Sequence, residues 1–165
     1  MPYWLMKSEP DELSFDDLLA APDRTLAWCG VRNYQARNFM RDQMNVGDGV
    51  LFYHSSCAVP GVAGLAEVAS VAYPDASQFD PASPYFDPKA SPATPRWVSR
   101  DIRALERGRL VPLTALRAMA SLEAMVLLQK GSRLSVSPVS APEWHAVVAA
   151  LRAGDGLPGA PSTAR

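Results

Sequence analysis

Apolar and polar positions alternate along the chain in short blocks, and each block predicts an element. YWLMK (residues 3–7) is a continuous apolar run that ends at the turn SEPDEL, which predicts a short buried strand. Ser14, with Asp17 three residues on, has the form of a capping box and opens a helix over FDDLLAA, closed by Pro22 and Asp23. Asn33 has the form of a second N-cap, and the pattern is helical from Tyr34. Ala36, Phe39, Met40 and Gln43 share the face predicted to pack inward, while Tyr34, Arg37, Asn38 and Arg41 share the opposite one. Gly47-Asp48-Gly49 predicts a turn and VLFYH a strand. Period-2 alternation puts Phe52 and His54 on one side of that strand, with Leu51, Tyr53 and Ser55 on the other.

GVAGLAEVASVAY reads as a long strand whose Gly61 and Gly64 mark a bend or a close backbone approach. RWVSRDIRAL is predicted as a strand, with RLVPL as its hairpin partner. TALRAM and LEAMVLL predict short helices, LSVSPV a last strand and PEWHAVVAAL a C-terminal helix. Between them, residues 74–95 carry six prolines together with Phe79, Tyr85 and Phe86, which predicts an ordered loop covering part of the domain. Strands separated by scattered helices predict one α+β domain over residues 1–152, built on a small, mostly antiparallel barrel. Residues 153–165 are expected to form a flexible C-terminal tail.

Composition changes this picture little. The 165 residues are 48% hydrophobic and 20% charged, enough apolar material for one core. No apolar run reaches the ~20 residues a membrane span needs, and the N-terminus lacks the form of a signal peptide. Two cysteines, Cys29 and Cys57, make neither a disulfide framework nor a metal motif, so a reducing cytoplasm is expected. The net charge of -1 hides segregation: six acids and no base from Ser8 to Asp23, then four Arg and no acid from Arg24 to Arg41. Charges also cluster by chance on solvated faces, but such segregation permits a basic face on a neutral protein.

Catalytic motifs are sparse. His54 adjoins Ser55, but neighbouring strand residues face opposite ways, so His54 is badly placed to activate it. No nucleophile elbow and no phosphate-binding glycine loop is present. Asp16 and Asp17 sit where acids favour a helix dipole. A small-molecule hydrolase using His54 and Glu9 stands as the enzymatic alternative.

WCGVRNYQARN (residues 28–38) fits neither a core element nor a plain surface helix. A Trp before a Cys-Gly turn, followed by amides and guanidiniums, is what stacking on a base requires. Asn offers a donor and an acceptor to a base edge, and Arg contacts phosphate.

This segment, with WLMKSEP, GDGVLFYHSS, PGVAGLAEV, YPD, SPYFDPK, PRW and RLSVSPV, resembles the EVE domain family, and the likeness extends to about Leu151. The resemblance implies a PUA-like pseudo-barrel wrapped by short helices, akin to YTH and ASCH domains. It also implies a non-enzymatic reader of a modified nucleobase, modified cytosine in DNA foremost, with no cofactor and no metal. The expected base pocket comprises Lys7, Ser8, Glu9, Trp28 as stacking wall, Gly30, Val31, Asn33, Tyr53, His54, Ser55 and Tyr85. The expected contacts to the nucleic-acid backbone are Arg32, Tyr34, Arg37, Asn38, Arg41, Lys89, Lys130 and Arg133. The expected partner is DNA or RNA carrying a modified base, bound by a monomer. An RNA-binding module for tRNA or rRNA is the rival reading.

Overall fold

A computed structural model describes residues 2–153. The expected tail therefore lies, from residue 154 on, outside the described residues. Seven strands form one mixed sheet: β1 (Tyr3–Ser8), β2 (Thr25–Trp28), β3 (Gly49–His54), β4 (Gly61–Val68), β5 (Tyr73–Pro74), β6 (Val98–Pro112) and β7 (Val136–Val139). Their order is β2-β6-β4-β3-β1-β7, with β5 also on β6. Only β1 and β3 run parallel; every other pairing is antiparallel. The sheet is thus mostly antiparallel, as expected, but its path does not close into a barrel.

The parallel pair follows from the connection. Residues 9–48 return through α1 (Phe15–Ala20), β2 and α2 (Tyr34–Asn38), the kind of long crossover that parallel neighbours require. Both predicted caps form. Ser14 Oγ accepts from Asp17 N while Asp17 Oδ2 accepts from Ser14 N, and Asn33 Oδ1 accepts from Ala36 N. After α2 the chain widens into one π-helical turn, Phe39–Gln43. The buried Arg100 holds this turn by donating to the Met40 and Met44 carbonyls, satisfying groups the irregular helix end leaves open. Ala36 and Met40 are buried as expected, whereas Gln43 is exposed, because the π turn rotates it off the inner face.

The alternation in β1 and β3 divides the core in two. Trp4, Met6, Val50 and Phe52 face a layer that includes α1 and the start of α2, while Leu5, Leu51 and Tyr53 face α3 (Leu113–Arg117) and α4 (Ala141–Arg152). Phe52 meets Phe15 and Trp28 edge to face, with ring centroids 5.4 and 5.3 Å away. Truncating Phe52 to Ala would cost about 3–5 kcal/mol. The expected close approaches are present: a Cβ at Gly61 or Gly64 would lie 2.3 Å from the Val111 carbonyl or 2.4 Å from the Phe15 ring.

Three expectations need correction. The predicted strand over residues 61–73 stops at Val68, and the chain re-enters the sheet only at β5. TLAW, too short to carry a strand pattern of its own, is β2. The predicted hairpin over residues 96–113 is one 15-residue strand, β6, because Gly108 is packed under Leu151 of α4 rather than placed in a turn. Register shifts along β4 and β6 bend this long strand where a turn was expected.

A pocket at the ends of parallel strands

Because β1 and β3 run the same way, both deliver their last residues to one edge of the sheet. There Lys7, Ser8, Glu9 and Ser55 meet Trp28 at the end of β2, the Cys29–Val31 turn, Glu12, Tyr85 and Arg133 around a pocket of about 420 Å³. That size is ordinary for a small-molecule site.

Each wall has a local cause. The Glu9 carbonyl accepts from the amides of Glu12 and Leu13, folding SEPDEL into a tight turn that brings Glu12 to the pocket. Ser8 Oγ donates to the Leu13 carbonyl at 2.7 Å, so only its acceptor capacity remains for a ligand. Trp28 is 5% exposed and belongs to a strand rather than a loop. It forms an apolar floor whose indole also belongs to the core. The Lys7 amine is half-buried, and desolvation lowers its pKa.

The Pro-rich segment provides the outer wall. Gln78 is buried and bridges Asp75 and Trp97: its amide donates to both carbonyls and its oxygen accepts from the amides of Arg96 and Trp97. Asp75, 1% exposed, accepts from Gly30 N at 2.7 Å, from Arg32 Nη1 at 3.1 Å and from both the amide and hydroxyl of Ser77. Burial alone would raise this carboxyl's pKa. The bonds from Ser77, Gly30 and Arg32 outweigh burial and hold it below the ordinary carboxylate range. Arg32 also donates twice to the Tyr85 carbonyl, at 3.0 and 2.7 Å, which fixes the tyrosine over the pocket. The Tyr85 ring lies against Gly30, whose φ of +84° suits glycine and where a Cβ would sit 2.8 Å from the ring. The Tyr85 hydroxyl donates to Glu12 across the opening; that bond, with burial, raises the phenol's pKa to about 12.

The structure therefore brings together Lys7, Ser8, Glu9, Trp28, Gly30, Val31, Ser55, Tyr85 and Arg133, and leaves others elsewhere. Asn33 spends its side-chain oxygen on capping α2. His54 Nε2 accepts from Phe15 N at 3.1 Å, and the ring packs on Phe52, so it serves α1 rather than the pocket. Burial lowers its pKa, in keeping with a neutral acceptor. Tyr53 points to the other face of β3 and lines a different groove with Lys130.

The expected phosphate contacts in and beside α2 are engaged within the protein. Arg32 clamps Asp75 and Tyr85. Arg37 donates to Asn38 and the Arg96 carbonyl and lies 4.8 Å over the Tyr34 ring, which itself stacks on Trp97. Arg41 pairs with Asp42 and also reaches Asn38. Lys89 is exposed on the Pro-rich loop and does not line the pocket. Glu12, Leu13, Leu26, Ala27, Cys29 and Ser135 line the pocket without having been singled out from the sequence. Glu12 lies in the SEPDEL turn and Ser135 in RLSVSPV, but neither stretch marks which of its residues faces a cavity. Among the described residues no group of His, Cys, Asp and Glu is arranged to hold a metal ion, and no helix is long and apolar enough to cross a membrane.

Comparison with known proteins places this geometry in context. Thymocyte nuclear protein 1 of Homo sapiens is 38% identical, with the match covering 88% of this chain and 72% of that protein. A Pseudomonas syringae crystal structure superposes with a TM-score of 0.86 at 48% identity, over 90% of this chain and 98% of that one. The human THYN1 protein in complex with DNA containing 5-methylcytosine superposes with a TM-score of 0.88 at 36% identity, over 96% of this chain and all of that one. The family model described as the EVE domain matches residues 2–150, and on that near-complete match the chain belongs to the EVE domain family.

Proposed function

We propose that this chain is a non-enzymatic module that takes one modified nucleobase, modified cytosine in DNA, into the pocket at the ends of β1 and β2. The observation that carries the reading is the polarity of the lining. Glu9 and Glu12 are acceptors, Lys7 and Arg133 are donors, and Trp28 and Tyr85 supply apolar and aromatic surface. A cytosine edge presents one amino donor and two acceptors, and carboxylates accept from its N4 amine. Thymine carries a carbonyl at that position and would face Glu12 acceptor to acceptor. The likeness to a protein crystallised with DNA containing 5-methylcytosine supports the same reading.

Extruding a base from a duplex costs a few kcal/mol, and stacking returns roughly 1–3 kcal/mol. Edge contacts and cations at the rim must supply the remainder, so a free base should bind weakly and an oligonucleotide better.

The test is a fluorescence titration with matched oligonucleotides carrying cytosine, 5-methylcytosine or thymine at one position. Tighter binding to 5-methylcytosine, lost by about tenfold or more in Glu12→Gln, is the expected result. Equal and steeply salt-dependent binding of all three would sink the base-reading assignment and favour a general RNA-binding surface instead. Trp28→Ala is a poor probe, because the residue is a core side chain whose truncation unfolds more than the site.

A further inference from the structure

Behind Lys7 lies a second groove of about 440 Å³ that the base pocket does not use. Lys7 lines both. In the parallel register Lys7 is opposite Tyr53, so the two side chains stand together on the α3–α4 face of the sheet. Arg117, at the end of α3, and Lys130, in the segment before β7, complete a cationic lining that includes no carboxylate. Tyr53 is 3% exposed, yet its hydroxyl makes no hydrogen bond among the described residues and is not sealed from solvent, so it opens into the groove. Lys7, Arg117 and Lys130 likewise make no side-chain hydrogen bond or ion pair among the described residues, unlike the guanidiniums of α2. Desolvation of the Lys7 amine is a standing cost that a neighbouring anion would relieve.

Three cations and a buried phenol, all with donors to spare, suit a tetrahedral oxyanion better than a neutral or cationic group. Lys7 is the one residue common to the linings of the two cavities. We infer that this groove is a phosphate subsite, which receives the backbone phosphate next to the base held in the first pocket. The inference rests on the base-binding reading for its register, with Lys7 between the base on one side and the phosphate on the other. It assigns the backbone contact to Arg117, Lys130, Lys7 and Tyr53 instead of to α2.

The experiment uses a single-stranded oligonucleotide with one 5-methylcytosine, in which each linkage in turn is replaced by an uncharged methylphosphonate. The native chain is compared with an Arg117→Ala/Lys130→Ala double variant; both side chains are exposed, so the fold should survive, and a thermal melt checks this. For the native chain, neutralising one linkage beside the modified base should weaken binding about tenfold, the scale of a charged hydrogen bond. The double variant should bind the unmodified backbone correspondingly less tightly and lose its sensitivity to that linkage. Its salt slope should fall by about 0.7 for the phosphate given up. Tyr53→Phe should weaken the same linkage's contribution by a smaller factor. Unchanged affinity and salt slope in the double variant, or the same linkage effect in both proteins, would overturn the subsite. The base reading fails separately, through loss of preference for 5-methylcytosine over cytosine, an outcome the linkage comparison does not depend on.

Discussion

Two cationic regions of this molecule have similar charge and opposite circumstances. On the α2 side, Arg32, Arg37 and Arg41 are engaged by Asp75, by the Tyr85 and Arg96 carbonyls, by Asn38 and Asp42, and by aromatic rings. At the strand-end edge, Lys7, Arg117, Lys130 and Arg133 have no such partners among the described residues. A guanidinium with its donors filled has little left for phosphate, since a ligand must first displace bonds already made. Of the cations around α2, Arg32 holds the tyrosine lid while Arg37 and Arg41 are engaged locally, and the strand-end cations keep their donors open among the described residues. Charge counted along the sequence does not separate these roles; accounting for donors does.

The largest test of this division removes what engages Arg32. Asp75→Ala breaks a buried pair and strands the Gly30 amide, and should cost about 3–5 kcal/mol in denaturant unfolding. It should also loosen Tyr85, visible as faster amide exchange over residues 76–90. A fully stable variant with an unchanged loop would mean that Arg32 is not the clamp. Gly30→Ala probes the same lid from beneath. The left-handed backbone and the Tyr85 ring together predict a loss of about 1–2 kcal/mol and weaker oligonucleotide binding through the displaced tyrosine.

A smaller effect sharpens the strand-end side, where His54 is already committed to a structural bond with the Phe15 amide. Its folded-state pKa lies below the ordinary value, so the unfolded chain binds the proton more readily. The stability His54 contributes should be fully present above about pH 6.5 and decline as pH falls below it. His54→Gln should flatten the upper part of that acid limb in urea unfolding followed from pH 7 to 5; an unchanged profile would remove His54 from the account. The smallest expected effect is that of Arg41→Ala. Its pair with Asp42 is exposed at both ends, so stability should not move measurably, and the salt slope for oligonucleotide binding should not move either. A drop in that slope would return α2 to the interface.

How much of this was legible in the sequence varied with the range of the interaction. Local signals held: both N-caps, the alternation that splits Phe52 from Tyr53, and the C-terminal helix over PEWHAVVAAL. Strands without a pattern of their own did not. TLAW has four residues and becomes β2 only because Arg100–Arg103 of β6 offers it a partner. Gly108 resembled a turn residue because its packing against Leu151 is 43 positions away. Lys7, Ser8, Trp28 and Tyr85 border the cavity and lie within motif segments. The bonds from Arg32 to Asp75 and Tyr85, and from the Phe15 amide to His54, join residues far apart in sequence and leave no local sign. Glu12 escaped notice because an acid in an exposed turn looks the same whether or not a cavity opens beside it.

The position of β1 within the sheet also bears on how the chain reaches this state. Its neighbours are β3 and β7, so the strand at the start of the sequence is flanked on one side by residues 136–139. Such pairing carries a large loop-closure cost and belongs to slow-folding, high-contact-order topologies. The pocket draws on both Ser8 at the end of β1 and Ser135 at the threshold of β7. The cavity's wall is therefore complete only once the first and last strands of the sheet are side by side, so closing the cavity and completing the sheet are one event.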